Sequence, residues 1–159
     1  MKKILGKTAD GAVVIDRFNS HLHGEVTKHL HQALSTIKTN NKQFIEAEVD
    51  FHRNIGFSAC VSTSSNDCIV FATRQNRNGF SRFVLNKEKM PTSFLTVVLK
   101  KTNDKPSEYV LITAYIGEKS EVEPWDKHAT EKSVDFWKSH ALVWGEPVLL
   151  ESVTADVKW

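Results

Sequence analysis

The chain has 159 residues, 40% of them hydrophobic and 25% charged, and a formal net charge of +2. That length holds one domain with its own core and is short for two, and the composition is globular rather than disordered. A balance so near neutral excludes recognition of a polyanion by bulk charge, so any such site has to come from local clustering.

Gly11–Asp16 (G-A-V-V-I-D) reads as a short strand. Asn19 or Ser20 can then cap a helix. In it Leu22, Val26, Leu30, Ala33, Leu34 and Ile37 recur at spacings of three and four, an amphipathic stripe. Four histidines lie on this segment, His21, His23, His29 and His31. No two of them stand four apart on a single face, as converging zinc ligands commonly do, so they are read as a solvated polar face and no metal is expected. Asn40-Asn41 ends the helix. Phe44–Phe51 then alternates Phe44, Glu46, Glu48 and Asp50 against Ile45, Ala47, Val49 and Phe51. That pattern is a half-buried strand with an acidic outer face. The same carboxylates could hold a divalent cation, but a regular polar strand face explains them without one.

Further strands are predicted over Ile55–Ser62, Asp67–Thr73 and Phe80–Leu85, with a hairpin signal at Asn78-Gly79. Cys60 and Cys68 lie on either side of the Ser64-Ser65-Asn66 turn and are read as reduced, buried thiols. After Pro91, Phe94–Lys100 and Glu108–Ile116 form an antiparallel pair around the turn Asn103-Asp104-Lys105-Pro106. Alternation on the second strand puts Tyr109, Leu111, Thr113 and Tyr115 on one face. The apolar set Val110, Ile112, Ala114 and Ile116 is assigned to the core. An acidic stretch follows Gly117, then a short helix over Thr130–Ser139, and a last strand runs over Pro147–Thr154. These elements predict one α+β domain over residues 1–159: a curved antiparallel meander with the N-terminal helix packed on one face and a short second helix.

No apolar run approaches the ~18 residues of a membrane span, and Lys7 and Asp10 break any apolar signal core after M-K-K-I-L-G-K. A cytoplasmic protein without a membrane partner is expected. There is no G-x-S-x-G elbow, no G-x-G-x-x-G and no P-loop, and no cofactor signature. The best local clue is charge. Arg74, Arg77, Arg82, Lys87 and Lys89 set five cations against Glu88 alone. Guanidinium offers paired donors to paired phosphate oxygens, so Arg74, Arg77 and Lys87 are candidate phosphate or RNA contacts, and Arg82 is a candidate catalytic group. The plainer alternative is a solvated hairpin tied to the acidic stretch after Gly117. His140, beside Trp137, Ala141 and Leu142, is the candidate general base or acid, with Thr113 and Tyr115 as hydroxyl donors.

The segments V-F-A-T-R-Q-N-R-N-G-F-S-R-F-V, P-T-S-F-L-T-V-V-L-K-K, L-I-T-A-Y-I-G, E-P-W-D and F-W-K-S-H-A-L-V-W cover roughly Phe44–Trp144. They resemble a widespread group of small uncharacterised bacterial proteins. More distantly, the order of a helix and then a meander is similar to the barnase–EndoU–colicin–RelE class of metal-independent, toxin-like ribonucleases. That similarity implies a sheet face carrying Arg74 or Arg82, Thr113, Tyr115 and His140, with RNA as substrate and an inhibitor protein as a partner. Two functions are therefore expected to compete. One is a metal-independent endoribonuclease or RNA-binding protein. The other is a non-enzymatic protein-interaction module, in which the basic hairpin of one copy meets the acidic segment of another in a homodimer.

Overall fold

The structure is a computed structural model that describes residues 3–17, 22, 24–74, 77, 79–103, 107–145 and 148–159, with residues 148–152 described by backbone alone. The predicted Asn19 or Ser20 cap, His21, His23, Asn78, the Asp104–Pro106 part of a turn and Pro147 lie outside the described residues. In chain order the strands are β1 (Lys3–Lys7), β2 (Val13–Asp16), β3 (Phe44–Asp50), β4 (Gly56–Ser58), β5 (Cys60–Ser62) and β6 (Ile69–Arg74). They continue as β7 (Phe80–Val84), β8 (Met90–Thr92), β9 (Phe94–Lys101), β10 (Glu108–Ile116), β11 (His140–Val143) and β12 (Val148–Thr154). The helices are α1 (Gly24–Leu34) and α2 (Glu131–Lys138). The protein is thus mixed α+β, rich in antiparallel strands.

The residues gather into two compact units, Met1–Phe57 with Pro91–Lys119, and Ser58–Met90 with Ser120–Trp159. The first holds a five-stranded sheet in the order β1-β2-β10-β9-β3. All its neighbours are antiparallel except β2 and β10, which run parallel. The stripe read from sequence is the buried face of α1: Val26, Leu30, Ala33 and Leu34, continued by Ile37, pack with Val14, Ile45, Leu95, Val97, Leu99, Tyr109 and Leu111. Burying one such aliphatic side chain contributes roughly 1.5–3 kcal/mol, which is what holds the helix on the sheet. Tyr109 is fully buried and donates its hydroxyl to the Lys42 carbonyl at 2.6 Å.

Two expectations about this unit are corrected. His29 is buried rather than solvated. Its Nδ1–H donates to the Glu25 carbonyl at 2.8 Å, and its ring meets Phe51 edge-on at 5.2 Å. On β10 the strict alternation fails. The register to β9 passes from Leu111 opposite Leu99 to Thr113 opposite Val98, so Ile112 is an extra residue. Such a bulge swaps the two faces of a strand. Tyr109 and Leu111 enter the core before it and Ala114 after it, while Ile112 is 40% exposed rather than a core residue.

The second unit holds a sheet in the order β12-β6-β7-β11-β5, antiparallel apart from the parallel pair β7 and β11. The stretch predicted as one strand over Ile55–Ser62 is two, β4 and β5, in different sheets. The apolar cluster on this sheet is small, Val61, Val84 and Ala141 flanked by Ile69 and Val143. Aromatic pairs extend it: Phe71 with Trp159 and Phe83 with Trp144, both edge-on at 5.5 Å. Helix α2 begins at Thr130, whose N–H donates to Ser133 Oγ at 3.0 Å, and it buries Trp137, whose Nε1–H donates to the Glu121 carbonyl at 2.9 Å.

Candidate functional site

Strand register decides which of the predicted site residues share a surface. On β6 and β7 the paired positions are Phe71 with Arg82, Ala72 with Ser81 and Thr73 with Phe80. Paired residues point to the same face and neighbours along a strand to opposite ones. Arg82 therefore lies on the face of Phe71, Phe80 and Val84, whereas Arg74 lies on the face of Ala72, Ser81 and Phe83. Leu142 of β11 pairs with Phe83 and Cys60, and His140 with Ser62. The His140 side chain thus shares the Arg74 face, and the Arg82 side chain leaves from the other one.

Arg82, Arg74 and Lys87 each have a structural partner. Arg82 Nη1 donates to Thr63 Oγ1 at 2.8 Å and to the His140 carbonyl at 2.9 Å, lacing β7 to the start of β11 and to the residue that follows β5. Burial lowers its pKa, partly offset by the Asp67 carboxylate. Arg74 donates through Nε to the buried Ser81 hydroxyl at 3.0 Å and through Nη2 to Glu123 Oε2. Lys87 donates to the Ser62 carbonyl at 2.8 Å and stands 3.4 Å from Asp67. The Asp67 carboxyl is held below its ordinary range, first by the Ser64 N–H and then by Lys87. Arg77 is exposed, with its N–H on the Arg74 carbonyl at 3.1 Å. Of the two thiols, Cys60 is half-buried and pushed up to about 12 by burial and by the Glu123 charge, while Cys68 is exposed, contrary to the expected pair of buried thiols.

His140, the first residue of β11, is held against the end of α2. The ring stacks on Phe136 at 4.0 Å and 4°, and Nδ1 lies 2.9 Å from the Phe136 carbonyl and 3.0 Å from Ser139 Oγ. A carbonyl only accepts, so Nδ1 carries a proton, and Nε2 is the nitrogen that bears the lone pair of the uncharged tautomer. Thr113 and Tyr115 do share a face, the outer one, but they belong to the first unit, whereas the arginines, Lys87 and His140 belong to the second.

A different arrangement stands in the first unit. Among the described residues, strand β3 is the edge of its sheet and pairs with β9 alone. The Lys101 N–H donates to the Gln43 carbonyl and the Phe51 N–H to the Ser93 carbonyl, each at 2.8 Å. In an antiparallel ladder bonded pairs alternate, so the odd residues of β3 bond to β9. The N–H and C=O groups of Phe44, Glu46, Glu48 and Asp50 therefore point outward, away from the sheet. A groove of about 480 Å³ runs along this edge, with Thr36, Ile37, Lys38 and Lys42 across from the strand. On the outer face Lys119 sits 3.4 Å from Glu46, and its N–H donates to Glu48 at 3.1 Å. Asp50 accepts from Ser93 and from the His52 N–H, which lower its pKa. The alternation that revealed β3 also placed its carboxylates. Its position at an edge depends on pairing with residues some fifty positions later, for which the sequence carries no local signal.

Among the described residues no group of three or more His, Cys, Asp or Glu converges as metal ligands, and no helix is long and apolar enough to cross a membrane. No protein-family model, curated protein or solved structure matches the chain.

Proposed function

We propose that this protein is a non-enzymatic protein-interaction module that takes an extended polypeptide segment on the open edge of β3. The observation that carries the reading is the outward row of four N–H and four C=O groups on Phe44, Glu46, Glu48 and Asp50, beside a groove of about 480 Å³. Main-chain bonding gives strand addition its affinity, and alternate side-chain positions give it selectivity. Arg74 and Glu123, drawn from the two segments expected to meet between copies, pair within one chain.

The test exploits the geometry of the edge. Glu48→Pro removes an outward N–H and leaves the ladder to β9 intact, because proline is tolerated where the missing donor faces away from the sheet. Peptides selected on the wild-type protein from a random extended library should lose binding to Glu48→Pro at unchanged far-ultraviolet circular dichroism. Equal binding to both proteins refutes strand addition.

His140 favours a second reading. An imidazole fixed through Nδ1, with its Nε2 lone pair available, is poised as a general base. With Arg74 on the same face, this supports endoribonuclease activity in which His140 takes the 2′-hydroxyl proton. Incubation with total RNA in EDTA should then show cleavage that His140→Ala abolishes. Cleavage that persists in the variant removes His140 from the role.

A further inference from the structure

We infer that the segment β3 receives is basic at alternate positions and uncharged between them, and that it is not a second copy of β3. This rests on the strand-addition reading above. Glu46, Glu48 and Asp50 follow one another at spacing two on the outer face, with Phe44 ahead of them, 51% exposed. An added strand sets every second side chain directly across from these positions, at the distance where opposite charges stabilise and like charges oppose pairing. Lys119 meets two of the three carboxylates, so the row keeps an excess of negative charge for a partner to meet. The intervening side chains of the partner would turn the other way, to where Lys38 and Lys42 line the groove with Ile37. A cation there meets lysines, and an uncharged side chain does not.

The same geometry argues against self-pairing. Two copies of β3 joined antiparallel about a two-fold axis must use their outward residues. Centred on Ala47, Glu46 faces Glu48 of the other copy in both directions. Centred on Glu46 or on Glu48, that residue faces itself. Each of these registers, in which most of the strand is paired, places carboxylate against carboxylate. An isologous edge dimer is therefore opposed by the charges that would welcome a basic strand.

The experiment uses the full chain and three end-capped peptides of alternating sequence: lysine with valine, threonine with valine, and glutamate with valine. Binding is read by titration at low and high salt, and seating by hydrogen exchange of the Phe44, Glu46, Glu48 and Asp50 amides. The lysine peptide should protect those amides and bind about tenfold more tightly than the threonine peptide, an advantage that falls with salt and that the double variant Glu46→Gln, Glu48→Gln removes. The glutamate peptide should bind most weakly. Equal binding of lysine and threonine peptides, both protecting the four amides, leaves strand addition standing and overturns the charge inference. If neither protects them, strand addition itself fails. Concentration-dependent protection of the same amides in the protein alone identifies a second copy as the occupant and overturns the inference.

Discussion

Arg82→Met separates a structural guanidinium from a phosphate clamp. Methionine keeps most of the apolar stem and deletes the donors. Two bonds are lost, to Thr63 Oγ1 at 2.8 Å and to the His140 carbonyl at 2.9 Å. Bonds from a charged donor contribute roughly 1.5–3 kcal/mol each when shielded. Arg82 is only partly buried, and water screening and competition reduce that, so the pair is worth about 2 kcal/mol in total. The apolar cluster of this sheet is small, with Val61, Val84 and Ala141 at its centre, so little else offsets the loss. The assay is urea unfolding followed by tryptophan fluorescence. All four tryptophans, Trp125, Trp137, Trp144 and Trp159, lie in the second unit and report on its unfolding. With a urea slope of about 1–3 kcal/mol per molar, the midpoint should fall by roughly 1 M. A lysine in its place should recover only part of that, since one ammonium cannot span both acceptors as a planar fork does. An unchanged midpoint in Arg82→Met would refute the lacing role and return Arg82 to the list of groups available to a ligand.

Three further outcomes are expected. A Cβ at Gly79 would stand 2.3 Å from Trp125 Cβ and 2.4 Å from its Cγ, next to the main chain where no rotamer change relieves it, so Gly79→Ala should lower stability by about 1–3 kcal/mol in the same fluorescence assay. Asp10 accepts from the Thr8 and Thr39 hydroxyls and from the Thr39 and Asn40 N–H groups, which hold its carboxyl far below the ordinary 3.8. A depressed pKa contributes stability above the unfolded value that is lost as pH falls through the folded one. The stability gap between wild type and Asp10→Asn should therefore be constant above about pH 5 and narrow on acidification below 3.8, as followed by urea midpoints across pH; a gap that widens in acid reverses the sign of the argument. Cys60, protonated up to about 12, should resist alkylation at neutral pH while the exposed Cys68 is labelled, as mass spectrometry of the native protein can read.

What the sequence determined by itself is local and periodic. The stripe Val26, Leu30, Ala33, Leu34 and Ile37 marked the buried face of α1, because a 3.6-residue repeat returns one side of a helix to the core whatever lies opposite. Alternation marked β3 from Phe44 to Asp50 and its acidic face for the same reason at period two. Where the backbone breaks its period, the sequence was silent: Ile112 reads as core by counting, and the bulge that exposes it is set by the register of β10 against β9. His29 reads as one of four polar histidines, and only the packing of α1 buries it against Phe51. The candidate site was legible as residue types and not as a constellation. Arg74, Arg82 and His140 were all singled out. Their faces follow from the pairing of Phe71 with Arg82 and of Leu142 with Phe83, and a shift of one residue would have reversed them. The partners Glu123, Thr63 and Ser81, and the open edge of β3, were decided by the tertiary structure alone, because an ion pair or a strand edge joins positions distant in the chain, and nothing in the local spacing of either records the other.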